Sequence, residues 1–156
     1  MIDIEKMIAS DEGKKLKAYP CSRGFKTVGI GHNLESDSAL DILNRHLDMG
    51  DRITEAECTA LFKRDMANVY AGIKRNMPYF DDLKDKYKPV IVNMIFQMGI
   101  NGVLKFKDTL SCMIKDDVDG AESGIIASKY YKQTPERAER MIKLIKGEKV
   151  PEYEIF

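Results

Sequence analysis

The chain lacks an excess of either charge. Its 156 residues include 25 basic and 25 acidic side chains, so the formal net charge is zero at pH 7. Proteins dedicated to nucleic acids usually carry a strong basic excess, and we therefore expect no nucleic-acid partner. Attraction to an anionic polymer would have to come from a local patch of the surface.

Long apolar runs are also missing, and no segment is long enough to span a bilayer. Residues 1–5 do not show the basic and then apolar profile of a secretory signal. We therefore expect synthesis in a cytoplasm, no stable membrane insertion, and another route for any export.

Residues that bind metals or form disulfides are scarce. There are two histidines, His32 and His46, and three widely spaced cysteines, Cys21, Cys58 and Cys112. The odd count and the absence of a Cys-x-x-Cys pair argue against a disulfide framework and a structural zinc site. We expect no metal and no cofactor.

The N-terminal segment has the pattern of a helix followed by a hairpin. Apolar spacing predicts a helix over Asp3–Glu12, with Asp3 as its cap and Gly13 at its exit. Two β-forming runs, Leu16–Tyr19 and Phe25–Ile30, flank the turn-forming segment 20–24.

The rest of the chain has helical periodicity. Ser38 with Asp41 matches a capping box, and Thr54 with Glu57 matches a second one that opens the longest helical pattern, which Asn76 ends. The helix that starts at Ser38 is predicted to have an apolar face formed by Leu40, Leu43 and Leu47. Further helices are predicted from Pro89 to Gly99, over Asp108–Lys115 and Asp119–Lys129, and from Thr134 to about Gly147.

These elements predict an α+β fold that is mostly helical, in a single domain over 1–156. A small α/β lobe is expected at 13–53, with an inter-lobe helix at 54–76. A helical lobe is expected from 1–12 together with 77–156. Clefts between lobes commonly hold active sites.

Three side chains near the N-terminus have the spacing of a hydrolytic site. Glu12 ends the first helix, where unpaired carbonyl groups favour the protonated carboxyl that a general acid needs. Cys21 lies in the turn, and its thiol can serve as a base or a nucleophile. Thr27 can hold a water molecule. Taken singly, each has a simpler interpretation: a solvated helix end, a small buried hydrophobe and a β-former.

A Gly29-Ile30-Gly31-His32 segment follows the second strand. Glycines at these positions indicate a close approach of another group to the backbone. The segment is incomplete as a phosphate-binding motif. For His32, a structural ion pair with an acid of the long helix is favoured over catalysis.

The chain resembles the T-even phage lysozymes of glycoside hydrolase family 24 from about Ile4 to about Gly147. The resemblance is carried by five ordered motifs: Asp11-Glu12-Gly13, Leu16-Lys17-x-Tyr19, Thr27-Val28-Gly29-Ile30-Gly31-His32, Asn93-Met94-Ile95-Phe96-Gln97-Met98-Gly99 and Gln133-Thr134-Pro135-x-Arg137-Ala138.

The resemblance implies a lysozyme-like two-lobe fold. It also implies hydrolysis of the β-1,4 bond between N-acetylmuramic acid and N-acetylglucosamine in bacterial peptidoglycan, with host cell lysis as the result. In this family Glu12 would be the general acid, Cys21 would occupy the second catalytic position, and Thr27 would help to place the attacking water.

Other positions match supporting residues of the family. Asp11 and Arg137 match an acid and a base that pair near the catalytic glutamate, which Arg140 can join. His32 and Asp65 match a buried structural ion pair. The positions expected to contact or border the glycan are Asn33, Phe96, Thr109 and Gly124.

The chain also departs from the family pattern. Cys21 stands where aspartate is most common, Asn33 where the family has leucine, and Gly124 where it has asparagine. If Cys21 is a base, the anomer inverts, and if it is a nucleophile, a thioglycosyl intermediate forms and the anomer is retained. The base is favoured because the family inverts. Without the strong basic charge of the best-known members, weaker steering toward the cell wall should follow.

Two further functions stay open at this point: a lytic transglycosylase, and a peptidoglycan-binding module that has lost catalysis. For the hydrolase, we expect a monomer whose partner is the glycan strand of peptidoglycan. It would be made in the host bacterial cytoplasm and would act in the periplasm after release by a separate phage holin.

Overall fold

The computed structural model describes residues 2–154. In this part, helices dominate and one small antiparallel sheet lies near the N-terminus, which confirms the predicted α+β fold class. The elements are α1 (Ile4–Glu12), β1 (Lys15–Pro20), β2 (Lys26–Gly29), β3 (His32–Asn33), α2 (Leu40–Leu43), α3 (Glu55–Asn76), α4 (Lys88–Met98), α5 (Ile100–Leu104), α6 (Lys107–Ile114), α7 (Val118–Ile126), α8 (Lys129–Gln133) and α9 (Pro135–Ile145).

The chain divides into two compact units, whose boundaries fall within α1 and α3. The N-terminal unit contains Ala9–Asn68. The helical unit contains the described parts of 1–8 and 69–156. None of the helices within residues 2–154 is long and apolar enough to cross a membrane.

The sheet of the N-terminal unit has the strand order β1-β2-β3. Lys15 is paired with Gly29 and Tyr19 with Thr27, so three residues of β1 lie between these two pairs where β2 has one. The extra residues form a bulge, which turns away from β2 and pairs with the segment 50–53 instead. The sequence does not predict β3, because a two-residue strand has no periodicity of its own.

The core of this unit forms between one face of the sheet and the helices that follow. Val28 is fully buried, and Leu43, Leu47 and Leu61 pack in the same cluster. Burial of aliphatic side chains of this kind contributes about 1.5–3 kcal/mol for each residue.

The predicted helix from Ser38 is wrong in its start and its length. α2 is a single turn, and it begins after Ala39, whose φ is 56° and which has no side-chain cap. Asp37, not Ser38, accepts a hydrogen bond from the N–H of Ala39. Leu40 of the predicted apolar face is 42% exposed. Asn44 also takes a positive φ, and the helix ends before it.

The second capping box is confirmed. The N–H of Glu57 donates to Thr54 Oγ1 at 3.0 Å, and the N–H of Thr54 donates to Glu57 Oε1 at 2.9 Å. Arg45 binds the same carboxylate, and its hydrogen bond, with that from Thr54, lowers the pKa of Glu57 to about 2. A closed reciprocal pair of this kind explains why the long helix starts where the sequence predicts.

The helical unit has α4 at its centre. Seven consecutive residues of α4 are buried from Pro89 to Ile95, and a helix that is buried all round requires neighbours on every side. α9 contacts α4, α7 and α8, and α6 packs on α7. The N-cap of α7 is Asp117, which accepts from the N–H of Gly120 at 3.0 Å. The helix ends at Ile126, earlier than the predicted end at Lys129.

Two short helices, α5 and α8, have no counterpart among the predicted elements. Gly99 has a φ of 82° and ends α4 as expected, but the chain starts α5 at the next residue. α8 begins at the residue after Ser128, which caps it. Helices of five residues leave no periodic signal, and the packing around them decides that they form.

Candidate active site

Glu12 is the last residue of α1, and its carboxyl group lies against the backbone of Gly31. A Cβ at Gly31 would be 2.5 Å from Glu12 Oε2 and 2.8 Å from its Cδ, so no side chain fits there beside the carboxyl group as it stands. Gly31 also has a φ of 63°, which disfavours other residues. The close backbone approach predicted for this glycine segment is therefore the approach of the acid.

Cys21 follows β1 at the start of the hairpin turn, where its N–H donates to Phe25 O at 2.9 Å. Burial disfavours the thiolate, but this effect is outweighed by backbone hydrogen bonds from Arg23 and Phe25, by the Thr27 hydroxyl and by the Arg23 charge. Together they lower the pKa of Cys21. A larger share of the thiol is therefore ionised near neutral pH than in an ordinary cysteine.

Thr27 is buried in β2, where only 4% of it is exposed. Its hydroxyl donates to Phe25 O at 2.8 Å and also lies within hydrogen-bonding reach of Cys21. A hydroxyl has one hydrogen, so it can serve the carbonyl or the thiolate, but not both at once. Rotation of this hydroxyl can supply a donor to the sulfur when Cys21 ionises.

The neighbourhood of Tyr19 contains both Glu12 and Cys21. Partial burial raises the pKa of Tyr19, and the charges of Glu12 and Cys21 raise it further. In the sequence, Tyr19 stands out only as part of a motif. The signal that could have identified it is its place near the end of the strand, two residues before Cys21.

His32 and Asp65 form the predicted ion pair, with 2.7 Å between Nδ1 and Oδ2. Burial disfavours the imidazolium, but the hydrogen bond and charge of Asp65, together with the carbonyl oxygen and charge of Asp37, outweigh it and raise the pKa of His32. The second ring nitrogen, Nε2, binds Asp37 O at 2.8 Å. The side chains of His32, Asp37 and Asp65 have potential metal-ligand atoms within 4.8 Å of one another. Both ring nitrogens of His32, however, are already used in hydrogen bonds.

Asn33 lies on β3, and its side-chain oxygen accepts hydrogen bonds from the N–H groups of Glu35 and Ser36. It therefore shapes the turn after β3. Contact between Asn33 and a glycan stays a prediction.

Arg137 and Arg140 belong to the helical unit. The Arg137 Nε donates to Asn93 Oδ1 at 2.9 Å, and both residues are buried. The Arg140 Nε is 3.2 Å from the hydroxyl of Tyr153. The predicted pairing of Arg137 with Asp11 stays a prediction.

Phe96 is half-buried on α4, and Thr109 is buried on α6. A Cβ at Gly124 would be only 2.1 Å from Thr109 Oγ1, so α7 approaches α6 closely at this glycine. A larger residue at this position would have to displace the threonine. Glycan contacts at these positions stay predictions.

A carboxyl group, a thiol with a lowered pKa and a buried hydroxyl all lie near one phenol, and such a set of groups can carry out acid–base chemistry of the hydrolytic kind. Comparison with known proteins agrees with this class. The family described as phage lysozyme matches residues 9–142.

Three similar proteins have informative names. The chain is 32% identical to the probable T4-type lysozyme 1 of Dictyostelium discoideum, over 91% of this chain and 92% of that protein. It is 32% identical to the pre-baseplate central spike protein Gp5 of Enterobacteria phage T4, over 92% of this chain but only 28% of that protein. It is 28% identical to the endolysin of Acyrthosiphon pisum secondary endosymbiont phage 1, over 78% of this chain and 70% of that protein.

The chain belongs to the phage lysozyme family. This membership supports a role as a glycosidase that hydrolyses peptidoglycan.

Proposed function

We propose that the chain is a muramidase that hydrolyses the β-1,4 bond between N-acetylmuramic acid and N-acetylglucosamine, as an endolysin does during host cell lysis. The observation that supports this is the common neighbourhood of Glu12 and Cys21, whose charges both act on the Tyr19 hydroxyl. Glycosidases need two such groups on either side of the bond that breaks.

Glu12 is the general acid of this mechanism. Its carboxyl proton moves to the glycosidic oxygen while the bond from that oxygen to C1 breaks, and the sugar ring develops oxocarbenium character. The contact with Gly31 supports this role, because it restricts the positions that the carboxyl group can occupy.

Cys21 is the general base. Its thiolate takes a proton from a water molecule as the water oxygen attacks C1 from the opposite face, and Thr27 helps to hold that water. Glu12 then carries a negative charge and Cys21 is a neutral thiol, and proton exchange with solvent restores both. The lowered pKa of Cys21 supports this assignment, since a base must be ionised before it acts.

The anomer of the first product tests the mechanism. NMR of a digested glycan should show inversion for the wild type and for C21D, in which a carboxylate replaces the thiolate. Retention in the wild type with inversion in C21D would mean that sulfur attacks C1 directly. Retention in both would refute the base assignment.

Variants of the two groups test the activity itself. E12Q should lose lysis of cell-wall material in a gel assay while its circular dichroism and melting temperature stay those of the wild type. C21A should lose most activity, and C21D should keep it. Substantial lysis by E12Q would contradict the acid assignment, and equal rates for C21A and wild type would remove Cys21 from the mechanism.

Mass spectrometry of the products distinguishes the remaining alternatives. Reducing ends support hydrolysis, whereas anhydro-muramic ends would show a lytic transglycosylase, and absence of any cleavage would leave a binding module. Release into the periplasm through a separate holin also stays a prediction. Expression with and without a membrane-permeabilising partner tests it, and lysis should require that partner.

A further inference from the structure

Tyr19 lies in a row of side chains that crosses the sheet. The strand register pairs Tyr19 with Thr27, and Thr27 with Asn33 on the other side. Directly opposed residues of antiparallel strands point to the same face. Val28 and His32 form the next opposed pair, and both are buried on the other face, so the row of Tyr19 belongs to the face that does not form the core.

The bulge in β1 orients the ring of Tyr19. Because three residues of β1 lie opposite a single residue of β2, Lys15 and Tyr19 come closer together than they would in a regular strand. The Lys15 Nζ lies 4.2 Å from the centroid of the Tyr19 ring, where a cation is attracted to the π face. The position of Tyr19 is thus set by its pairing with Thr27 and by the contact of Lys15 with its ring. Its hydroxyl lies near Glu12 and Cys21.

The chemistry of this hydroxyl is that of a neutral donor. Burial and the two nearby charges raise the pKa of Tyr19 above its usual value, whereas the pKa of Cys21 is lowered. As the pH rises, the thiol of Cys21 therefore loses its proton before the phenol of Tyr19 does. Within residues 2–154, no protein group accepts a hydrogen bond from it. The side chain is only half-buried, so an acceptor from outside the protein can reach it.

We propose that Tyr19 is a substrate-contacting residue whose hydroxyl donates a hydrogen bond to an oxygen atom of the N-acetylhexosamine bound between Glu12 and Cys21. This assignment rests on the proposed function, because it assumes that the sugar binds beside the acid and the thiol. The chemical class of the ligand is a neutral pyranoside that presents hydroxyl or acetamido oxygens as acceptors.

Y19F is the variant that tests the proposal, because it removes only the hydroxyl. It should raise KM for a soluble peptidoglycan fragment and reduce kcat/KM by about 5–10-fold, the value of one hydrogen bond. The melting temperature should not change. The matched control is Y70F, which removes the hydroxyl of a tyrosine that is 42% exposed on α3 and should leave all parameters at the wild-type values.

Binding without catalysis gives a second measurement. Calorimetry with a β-1,4-linked N-acetylglucosamine tetramer should show about 5–10-fold weaker binding to E12Q/Y19F than to E12Q, by the same argument. If wild type does not hydrolyse peptidoglycan, the proposed function fails, and this comparison still decides the role of Tyr19. Equal dissociation constants would overturn the Tyr19 proposal while leaving the muramidase activity untouched.

The rate of thiol alkylation against pH separates a substrate contact from an effect on sulfur. In Y19F the titration of Cys21 should stay within a few tenths of a pH unit of the wild type. A shift of a full unit with unchanged sugar binding would mean that Tyr19 acts on Cys21, and it would overturn the proposal.

Discussion

Gly31 shows how a site can depend on the absence of a side chain. The carboxyl group of Glu12 occupies the space in which a Cβ of residue 31 would lie. The positive φ of Gly31 and its contact with the acid are two separate requirements for glycine, one of the backbone and one of the site. They can be separated experimentally, because other glycines of this chain have the backbone requirement alone.

G31A should reduce kcat by about 10–100-fold, because it displaces the carboxyl group of the proposed general acid, Glu12. Its stability should fall by about 1 kcal/mol or more, since alanine is strained at a positive φ. The control is G147A, at a glycine with φ 77° and nothing within 4 Å of the place where a Cβ would lie. It should lose similar stability and keep full activity, as measured by thermal unfolding and wall lysis. Equal activities for the two variants would contradict the positioning role of Gly31.

As the proposed general base, Cys21 should set the pH above which the enzyme becomes active. A base acts only when it is ionised, so wild-type activity should rise through the pKa of the thiol, which is lowered from its usual value. Ordinary carboxyl groups ionise at about pH 4, whereas ordinary thiols ionise at about pH 8.5. C21D should therefore be active at about pH 5, where the wild type is weak. The measurement is kcat/KM against pH for both proteins, and coincident acid limbs would exclude Cys21 as the base.

The three thiols should react with alkylating agents at different rates, because their pKa values differ. The pKa of Cys21 is lowered, whereas burial raises the pKa values of Cys58 and Cys112. A limiting amount of iodoacetamide at pH 7 should label Cys21 first and stop lysis, and peptide mass mapping identifies the site. C21D treated in the same way should stay active. Inhibition of both proteins would point to one of the other thiols.

Among the secondary-structure elements, α3 shows how local hydrogen bonds set a boundary. T54A removes the oxygen that accepts from the N–H of Glu57 and should cost about 1 kcal/mol in the free energy of unfolding. The control is T59A, at an exposed threonine within the same helix, where alanine is the better helix former. Urea unfolding measures both, and equal stabilities would show that the cap contributes nothing.

The pair of His32 and Asp65 connects β3 to α3 within the N-terminal unit. Since the pKa of His32 is raised on folding, the stabilisation is complete below the ordinary histidine value of about 6.5 and is lost as the pH rises through the folded value. D65N should therefore destabilise the protein by about 3 kcal/mol at pH 6, and by less at alkaline pH.

The control for this comparison is D85N, which breaks an exposed pair with Lys88 and should cost less than about 1 kcal/mol at any pH. Urea unfolding at several pH values provides both series. A D65N deficit that does not change between pH 6 and pH 9 would contradict the linkage to His32.

The whole molecule has no net charge, and this affects how it meets the anionic cell wall. Without an overall attraction, the rate of wall lysis should change by less than about twofold between about 50 and 200 mM salt, a range in which screening strengthens considerably. A soluble neutral oligosaccharide measured in the same buffers is the control for effects on chemistry. A steep fall for the wall alone would reveal a local basic patch that steers binding.

The sequence alone predicts the elements whose signals are local. The first helix, the hairpin and the capping box at Thr54 follow from short-range periodicity and from the conformational preferences of a few residues. The choice of Glu12, Cys21 and Thr27 as site residues rests on the resemblance of several motifs to those of the phage lysozymes. The wrong prediction of a helix from Ser38 also came from a local signal. The residue types there match a capping box, but Ala39 takes a left-handed conformation that no sequence pattern indicates.

Only the tertiary structure decided which groups meet. Three features depend on strand register. They are the bulge in β1, the contact of the Glu12 carboxyl group with Gly31, and the position of Tyr19 near the charges of both Glu12 and Cys21. Register is set by contacts between residues far apart in the chain and by steric fit between backbones. Sequence therefore determined the residue types available for chemistry, whereas the packing of strand on strand and helix on loop determined which of them act together.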